Sequence, residues 1–152
     1  MKVKGVMTDL AQEMGFMQRA LALSHQALPA CRPNPPVGCV LVKEGQIVSE
    51  GFTQPPGLHH AEAMALANYD CPLNEVTAYV TLEPCSFVGR TPSCAHTLVE
   101  KGIKRVVVAT LDPDPRNSGK GIDVLKQAGI EVTVGLCEQE VFDFISPYLL
   151  KK

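Results

Sequence analysis

The chain has 152 residues, a length that suits a single domain, 1–152, around one core. Its 45% hydrophobic and 20% charged residues are those of a globular protein, and a net charge of −2 argues against nucleic acid, whose binders carry a basic stripe. The densest basic clusters, Lys101/Lys104/Arg105 and Lys151-Lys152, are too small to supply one. No apolar run approaches the roughly 18 residues that span a bilayer. Met1 to Gly15 lacks the apolar segment of a signal peptide. A cytoplasmic protein with no membrane contact is therefore expected, and in that compartment cysteines serve metals or packing rather than disulfides.

In chain order, residues 1–8 read as a loose or strand-like lead-in. Thr8 or Asp9 can cap a helix running to about Leu28, with Met14, Met17, Leu21 and Leu28 as its apolar stripe. His25 on this helix reads as a surface or a satisfied histidine. The proline-rich loop Pro29 to Pro36 ends the helix and can hold Asn34 rigidly. Gly38 to Thr53 reads as a hairpin turning at Glu44-Gly45. Its first strand is apolar on both faces, so it should be covered on both sides. Thr53 to Leu58 is a loop.

A helix over Ala61 to Tyr69 places His60 and Glu62 at its first turn, where the positive end of the helix favours negative groups. Glu75 to Leu82 alternates as a strand. It delivers Glu83, Pro84 and Cys85 to the carboxyl end of the sheet, where open α/β sheets bind ligands. Pro84 cannot donate to a ladder, so the strand stops there. Pro92 or Ser93 starts a helix to about Lys101, with Cys94 near the N-terminus that favours its thiolate. Lys104 to Thr110 reads as a buried parallel strand and Asp112 to Gly121 as a loop. Gly121 to Ala128 is a helix capped by Gly129, and Glu131 to Val134 a last strand. Cys137 to about Leu150 closes the chain as a helix bent or broken at Pro147. Five strands alternating with helices imply a three-layer α/β/α sandwich around a mixed five-stranded sheet.

The chemistry concentrates in two stretches. His60-Ala61-Glu62 and the run from Pro84-Cys85 to Cys94 supply one imidazole, two thiolates and one carboxylate. Zn2+ held by three protein ligands keeps its fourth position for water, which is the catalytic count. The metal makes that water acidic near neutral pH, and a carboxylate that is not a ligand can carry the proton. His, Glu and Pro-Cys in this order mark zinc deaminases of nucleobase-type rings. The His-Ala-Glu register selects His60 over His59. His96 would close the open position and is not expected to bind metal. Cys31, Cys39, Cys71 and Cys137 read as packing residues.

Eight residues separate Cys85 from Cys94, where nucleoside and nucleic-acid deaminases have two. The run Glu83-Pro-Cys-Ser-Phe-Val-Gly-Arg-Thr-Pro-Ser-Cys94 resembles the pyrimidine deaminase domain of the riboflavin biosynthesis deaminase/reductase family, whose motif sets a Gly-Arg/Lys-Thr-Pro loop between the thiolates. Asn34-Pro-Pro-Val-Gly38 and Asp112-Pro-Asp-Pro115, with Gly119 and Gly121, resemble two further segments of that family. The resemblance runs from about Met17 to about Phe144.

It implies a cytidine-deaminase-like fold and hydrolytic loss of an exocyclic amine from a ribosylaminopyrimidine 5′-phosphate. Carried over, His60, Cys85 and Cys94 hold Zn2+, and Glu62 moves the proton to the ring nitrogen and the leaving ammonia. Asn34, the Ala61 backbone N–H, Glu83, Phe87, Arg90 and Thr91 become substrate contacts, with Arg90 and Thr91 toward the phosphate. A homo-oligomer, dimer or tetramer, is also implied.

Phe87 stands where the family usually has His, and Val88 where Tyr or another polar or aromatic residue is common. An aromatic contact thus replaces a titratable one. This keeps open a diverged stand-alone deaminase of another pyrimidine, a purine or a pteridine. The chain ends about where the family's C-terminal reductase would begin, so deamination without reduction is expected. A polynucleotide deaminase would need a basic face. A purely structural zinc module would have no use for Glu62.

Overall fold

The computed structural model describes residues 2–86 and 93–149, with side chains from Leu10 onward. A hairpin starts the sheet: β1 (Gly38–Lys43) and β2 (Gln46–Phe52) pair antiparallel across a turn in which Glu44 and Gly45 both adopt positive φ, 52° and 76°. β1 also pairs antiparallel with β3 (Val76–Leu82). From there the strands run parallel, β3 to β4 (Arg105–Thr110) to β5 (Glu131–Val134). The order is β2-β1-β3-β4-β5, a mixed five-stranded sheet.

The period-two alternation of β1 divides the core into two layers. Cys39 and Leu41 face a layer that holds Ala61 and Ala65 of α2 (Ala61–Ala67), Ala95 and Leu98 of α3 (Cys94–Glu100), and Ile122 and Leu125 of α4 (Lys120–Gln127). Val40 and Val42 face the opposite layer, with Met17, Ala20 and Leu23 of α1 (Lys2–Gln26) and Val141 and Ile145 of α5 (Glu138–Ile145). Helices therefore cover both faces, and β1 and β4 are buried along almost their whole length. The three-layer α/β/α arrangement expected from the sequence is the observed one.

Four details differ from the sequence reading. Residues 2–8 belong to α1 rather than to a loose lead-in: no proline interrupts the run from Lys2 to Asp9, and it continues a helix whose later turns are packed on the sheet. The helix ends at Gln26, before Leu28, because the residue preceding Pro29 is disfavoured in the helical region. The buried stripe of α1 is Met17, Ala20 and Leu23, continued by Ala27 just past its end, while Met14 is 39% exposed. The last helix stops at Ile145, and the chain passes Pro147 as a single 3₁₀ turn, Ser146–Tyr148.

Because β1 runs opposite to β3, the start of β1 lies at the same end of the sheet as the carboxyl ends of β3 and β4. The loop 27–37, the loop 53–60 after β2, the segment after β3 and the loop 111–119 after β4 therefore meet at one end. Gly38 makes this closure possible: a Cβ there would overlap the backbone carbonyl of Ala20 in α1. Thr53 fastens two of the loops, since its Oγ1 accepts the Val37 N–H at 3.0 Å and donates to the Pro35 carbonyl at 3.2 Å. Among the described residues no helix is long and apolar enough to cross a membrane.

Candidate metal centre and active site

His60 precedes α2 as its N-cap residue, with an extended backbone (φ −76°, ψ 171°) and no side-chain cap bond. Its imidazole is thus left to point into the loop end. The Cys94 sulfur lies 3.4 Å from His60 Nδ1 and the Cys85 sulfur 3.9 Å from the same atom. All three ligand atoms fall within 4.8 Å of one another. Tetrahedral zinc, with bonds of about 2.3 Å to sulfur and about 2.1 Å to nitrogen, sets such edges at roughly 3.6 Å. One imidazole and two sulfurs at these separations fit that ion, and Nδ1 is the histidine atom that would bind it.

The cysteines are held by the start of α3. Cys94 is the first residue of this helix, and its N–H donates to the Cys85 sulfur at 3.2 Å. The Cys85 carbonyl accepts the Ala95 N–H at 3.0 Å and the Ser93 hydroxyl at 2.9 Å. Crowding the three donors shifts their protonation. The Cys85 thiol is pushed down to about 4, first by its hydrogen bond with Cys94. Cys94 and His60 are both raised, each with Cys85 as the first cause. Basic atoms that share too little room for their protons are the groups a divalent cation displaces protons from.

Glu62, one residue into α2, is 5% exposed and sits against Cys94. Burial first, then the Cys85 charge, raises its carboxyl to about 7. A bound cation acts in the opposite direction. The triad and Glu62 open onto a cavity of about 980 Å³, whose other walls include Arg32, Asn34, Asp112, Asp114, Arg116 and Tyr148. This volume suits a nucleotide-sized ligand.

The residues singled out in the sequence fall into three groups. His60, Glu62, Cys85 and Asn34 line the cavity, with Cys94 and Ala61 buried immediately behind them. Asn34 is tied down by Cys31, whose thiol donates to the Asn34 carbonyl at 3.4 Å. Glu83 also borders the cavity, yet its carboxylate accepts three backbone N–H groups of the facing loop and helix: Asp112 at 3.1 Å, Gly119 at 3.0 Å and Ile122 at 3.2 Å. Phe87, Arg90 and Thr91, with Val88, lie outside the described residues. His59 is exposed, and His96 turns its Nδ1 to Ser93 at 2.9 Å rather than to the sulfurs.

Several cavity residues carried no signal of their own. Arg32, Tyr148 and Arg116, which pairs with Asp114 of the Asp112-Pro-Asp-Pro115 segment at 2.6 Å, reach the cavity only through the tertiary fold. Asn117, fully buried, sits inside a loop whose composition announces only a turn.

A mixed sheet between two helical layers, with a His/Cys/Cys group and a buried carboxylate at one end, defines a deaminase of the cytidine-deaminase-like class. A family model for the cytidine and deoxycytidylate deaminase zinc-binding region matches residues 10–110. Riboflavin biosynthesis protein RibD of Aquifex aeolicus is 51% identical over 128 residues, 84% of this chain and 36% of that protein. The diaminohydroxyphosphoribosylamino-pyrimidine deaminase of Buchnera aphidicola is 46% identical over 125 residues, 82% of this chain and 85% of that protein. The form 2 structure of RibD from Acinetobacter baumannii superposes with a TM-score of 0.89 at 46% identity, over 93% of this chain and 40% of that one. The chain belongs to the cytidine and deoxycytidylate deaminase family and, within it, to the riboflavin biosynthesis deaminases. It spans a little over a third of the length of the RibD proteins it matches.

Proposed function

We propose that this chain is one zinc-dependent deaminase domain, 1–152, that removes the exocyclic amine of a diaminohydroxyphosphoribosylaminopyrimidine in riboflavin biosynthesis. The observation that carries the reading is the buried Glu62 carboxyl beside the His60/Cys85/Cys94 triangle on the cavity wall. Similarity to the Buchnera deaminase over most of both chains supports the substrate.

His60 Nδ1 and the Cys85 and Cys94 sulfurs would hold the zinc. Bound zinc supplies the Lewis acidity that makes water a nucleophile at neutral pH. Glu62 would take a proton from the attacking water at its carboxylate, deliver it to the ring nitrogen and then assist the departing ammonia. Its burial keeps competing water away and strengthens each charge–dipole contact it makes. Asn34 and the Ala61 N–H, the first of α2 and so without an intrahelical acceptor, orient the ring. Phe87 stacks on the ring, and Arg90 and Thr91 take the 5′-phosphate. Glu83 contributes by bracing the wall that Asp112 belongs to. The protein works in the cytoplasm as a homo-oligomer, dimer or tetramer, on a small molecule.

The test is ammonia release from the ribosylaminopyrimidine 5′-phosphate, set against cytidine, dCMP, guanine, a pterin and a single-stranded oligonucleotide. Turnover of the phosphorylated pyrimidine alone is expected. Release from a pterin or purine only would transfer the chain to another substrate, and release from the oligonucleotide only would make it a polynucleotide deaminase.

A further inference from the structure

Asn117 is fully buried in the loop between β4 and α4. Its side chain reaches three partners, two beside Cys85 after β3 and one in its own loop. Oδ1 accepts the Ser86 N–H at 3.0 Å, and Nδ2 donates to the Pro84 carbonyl at 3.2 Å. Nδ2 also lies 3.4 Å from the Asp112 carboxylate. The first two partners are the backbone groups on either side of Cys85. Ser86 offers only a donor, and the other two partners only acceptors. The amide can therefore take one orientation alone. A hydroxyl, a carboxylate or an apolar side chain satisfies at most part of this set.

Cys85 is consequently pinned from two directions. The start of α3 holds its carbonyl and sulfur, while Asn117 holds the peptide groups before and after it. The two sets divide the work: the α3 bonds hold the Cys85–Ser86 peptide by its carbonyl and Asn117 holds the same peptide by its N–H, while the carbonyl of the peptide before Cys85 is held, among the described residues, by Asn117; turning that peptide would swing Sγ out of the 3.9 Å separation from His60. The Asp112 end of the same amide stands on the cavity wall.

From this geometry we infer that Asn117 is a positioning residue, which sets the direction of the Cys85 sulfur and ties it to the cavity wall at Asp112. The inference rests on the reading of His60, Cys85 and Cys94 as a metal centre. Residues that orient ligands in this way typically govern metal affinity by 10–100-fold.

Zinc affinity of the whole chain is measured by competition with a chromophoric chelator, and the ligand field by the absorption of the cobalt(II)-loaded protein. The variants are Asn117→Asp and Asn117→Ala, with Ser118→Ala, exposed on the same loop, as the control and Cys85→Ser as the reference for a lost ligand. Asn117→Asp preserves shape and the Ser86 contact but sets an oxygen against the Pro84 carbonyl and the Asp112 carboxylate. It therefore remains informative if Asn117→Ala does not fold. Expected is at least about tenfold weaker zinc binding in folded Asn117→Asp, with shifted cobalt bands, and no change in Ser118→Ala. Wild-type zinc affinity and an unaltered cobalt spectrum in folded Asn117→Asp would overturn the inference. A wild-type chain that binds zinc no better than Cys85→Ser overturns the metal-centre reading itself, and this proposal with it.

Discussion

Gly121 lies directly beneath Pro84, so close that a Cβ on it would overlap the Pro84 carbonyl oxygen and come within 3.3 Å of Asn117 Oδ1. The start of α4 thereby sets the position of the residue before Cys85. Gly121→Ala must push that backbone aside. The expected cost is about 1–3 kcal/mol of stability, as for overpacking elsewhere, read from the midpoint of urea unfolding. Gly15→Ala makes the contrast: it is exposed in α1 with nothing within 4 Å of its Cβ, and should stabilise by up to about 1 kcal/mol. Equal effects at the two positions would contradict the packing argument.

Glu83 joins the end of β3 to the loop after β4 by accepting three backbone N–H groups. Glu83→Gln leaves a single acceptor and turns an NH2 group toward N–H donors. At 3% exposure no water relieves the mismatch. A loss of about 3 kcal/mol is expected by thermal or urea unfolding. A loss below about 1 kcal/mol would show that the carboxylate does not hold the loop, and would return Glu83 to a role at the substrate alone.

Arg19 of α1 and Glu50 of β2 form a bidentate pair at 2.7 and 2.8 Å. The Arg19 hydrogen bond holds the Glu50 carboxyl below its ordinary value of 4.5. A depressed carboxyl stabilises the fold above that ordinary value, and the contribution fades as pH falls through the lower folded value. The side chains are 44% and 32% exposed, so solvent screening limits the gain to under about 1 kcal/mol. Glu50→Gln should lower stability by that amount at pH 7 in low salt, and by progressively less as pH falls below 4.5 or as salt is raised to about 1 M. A difference that neither falls with pH nor responds to salt would assign the effect to packing instead.

The fold was largely legible because its signals are local. Gly-Cys-Val-Leu-Val and Val-Val-Val-Ala could only be buried strands, Glu44-Gly45 could only turn, and Gly129 closes α4 with φ 84°. The meeting of His60, Cys85 and Cys94 was legible for a different reason: the three residues sit next to landmarks, the start of α2, the proline that ends β3 and the start of α3. What stayed hidden is held together by distance in sequence. Nothing near Asn117 announces that its amide will meet Pro84 and Ser86, 33 and 31 residues away. The carboxylate of Glu83 belongs to a motif, but its partners come from residues 29 to 39 positions later. The stripe of α1 was misplaced because methionine packs well in a core yet is tolerated outside it, and Met14 is 39% exposed.

The most direct measurement pairs metal content with ammonia release in Glu62→Gln. Glu62 is assigned to the proton and not to the metal, so the variant should bind one zinc per chain as the wild type does and release ammonia from the ribosylaminopyrimidine 5′-phosphate at least about 10²–10⁴ times more slowly. Wild-type turnover in a zinc-loaded Glu62→Gln protein would contradict the assignment.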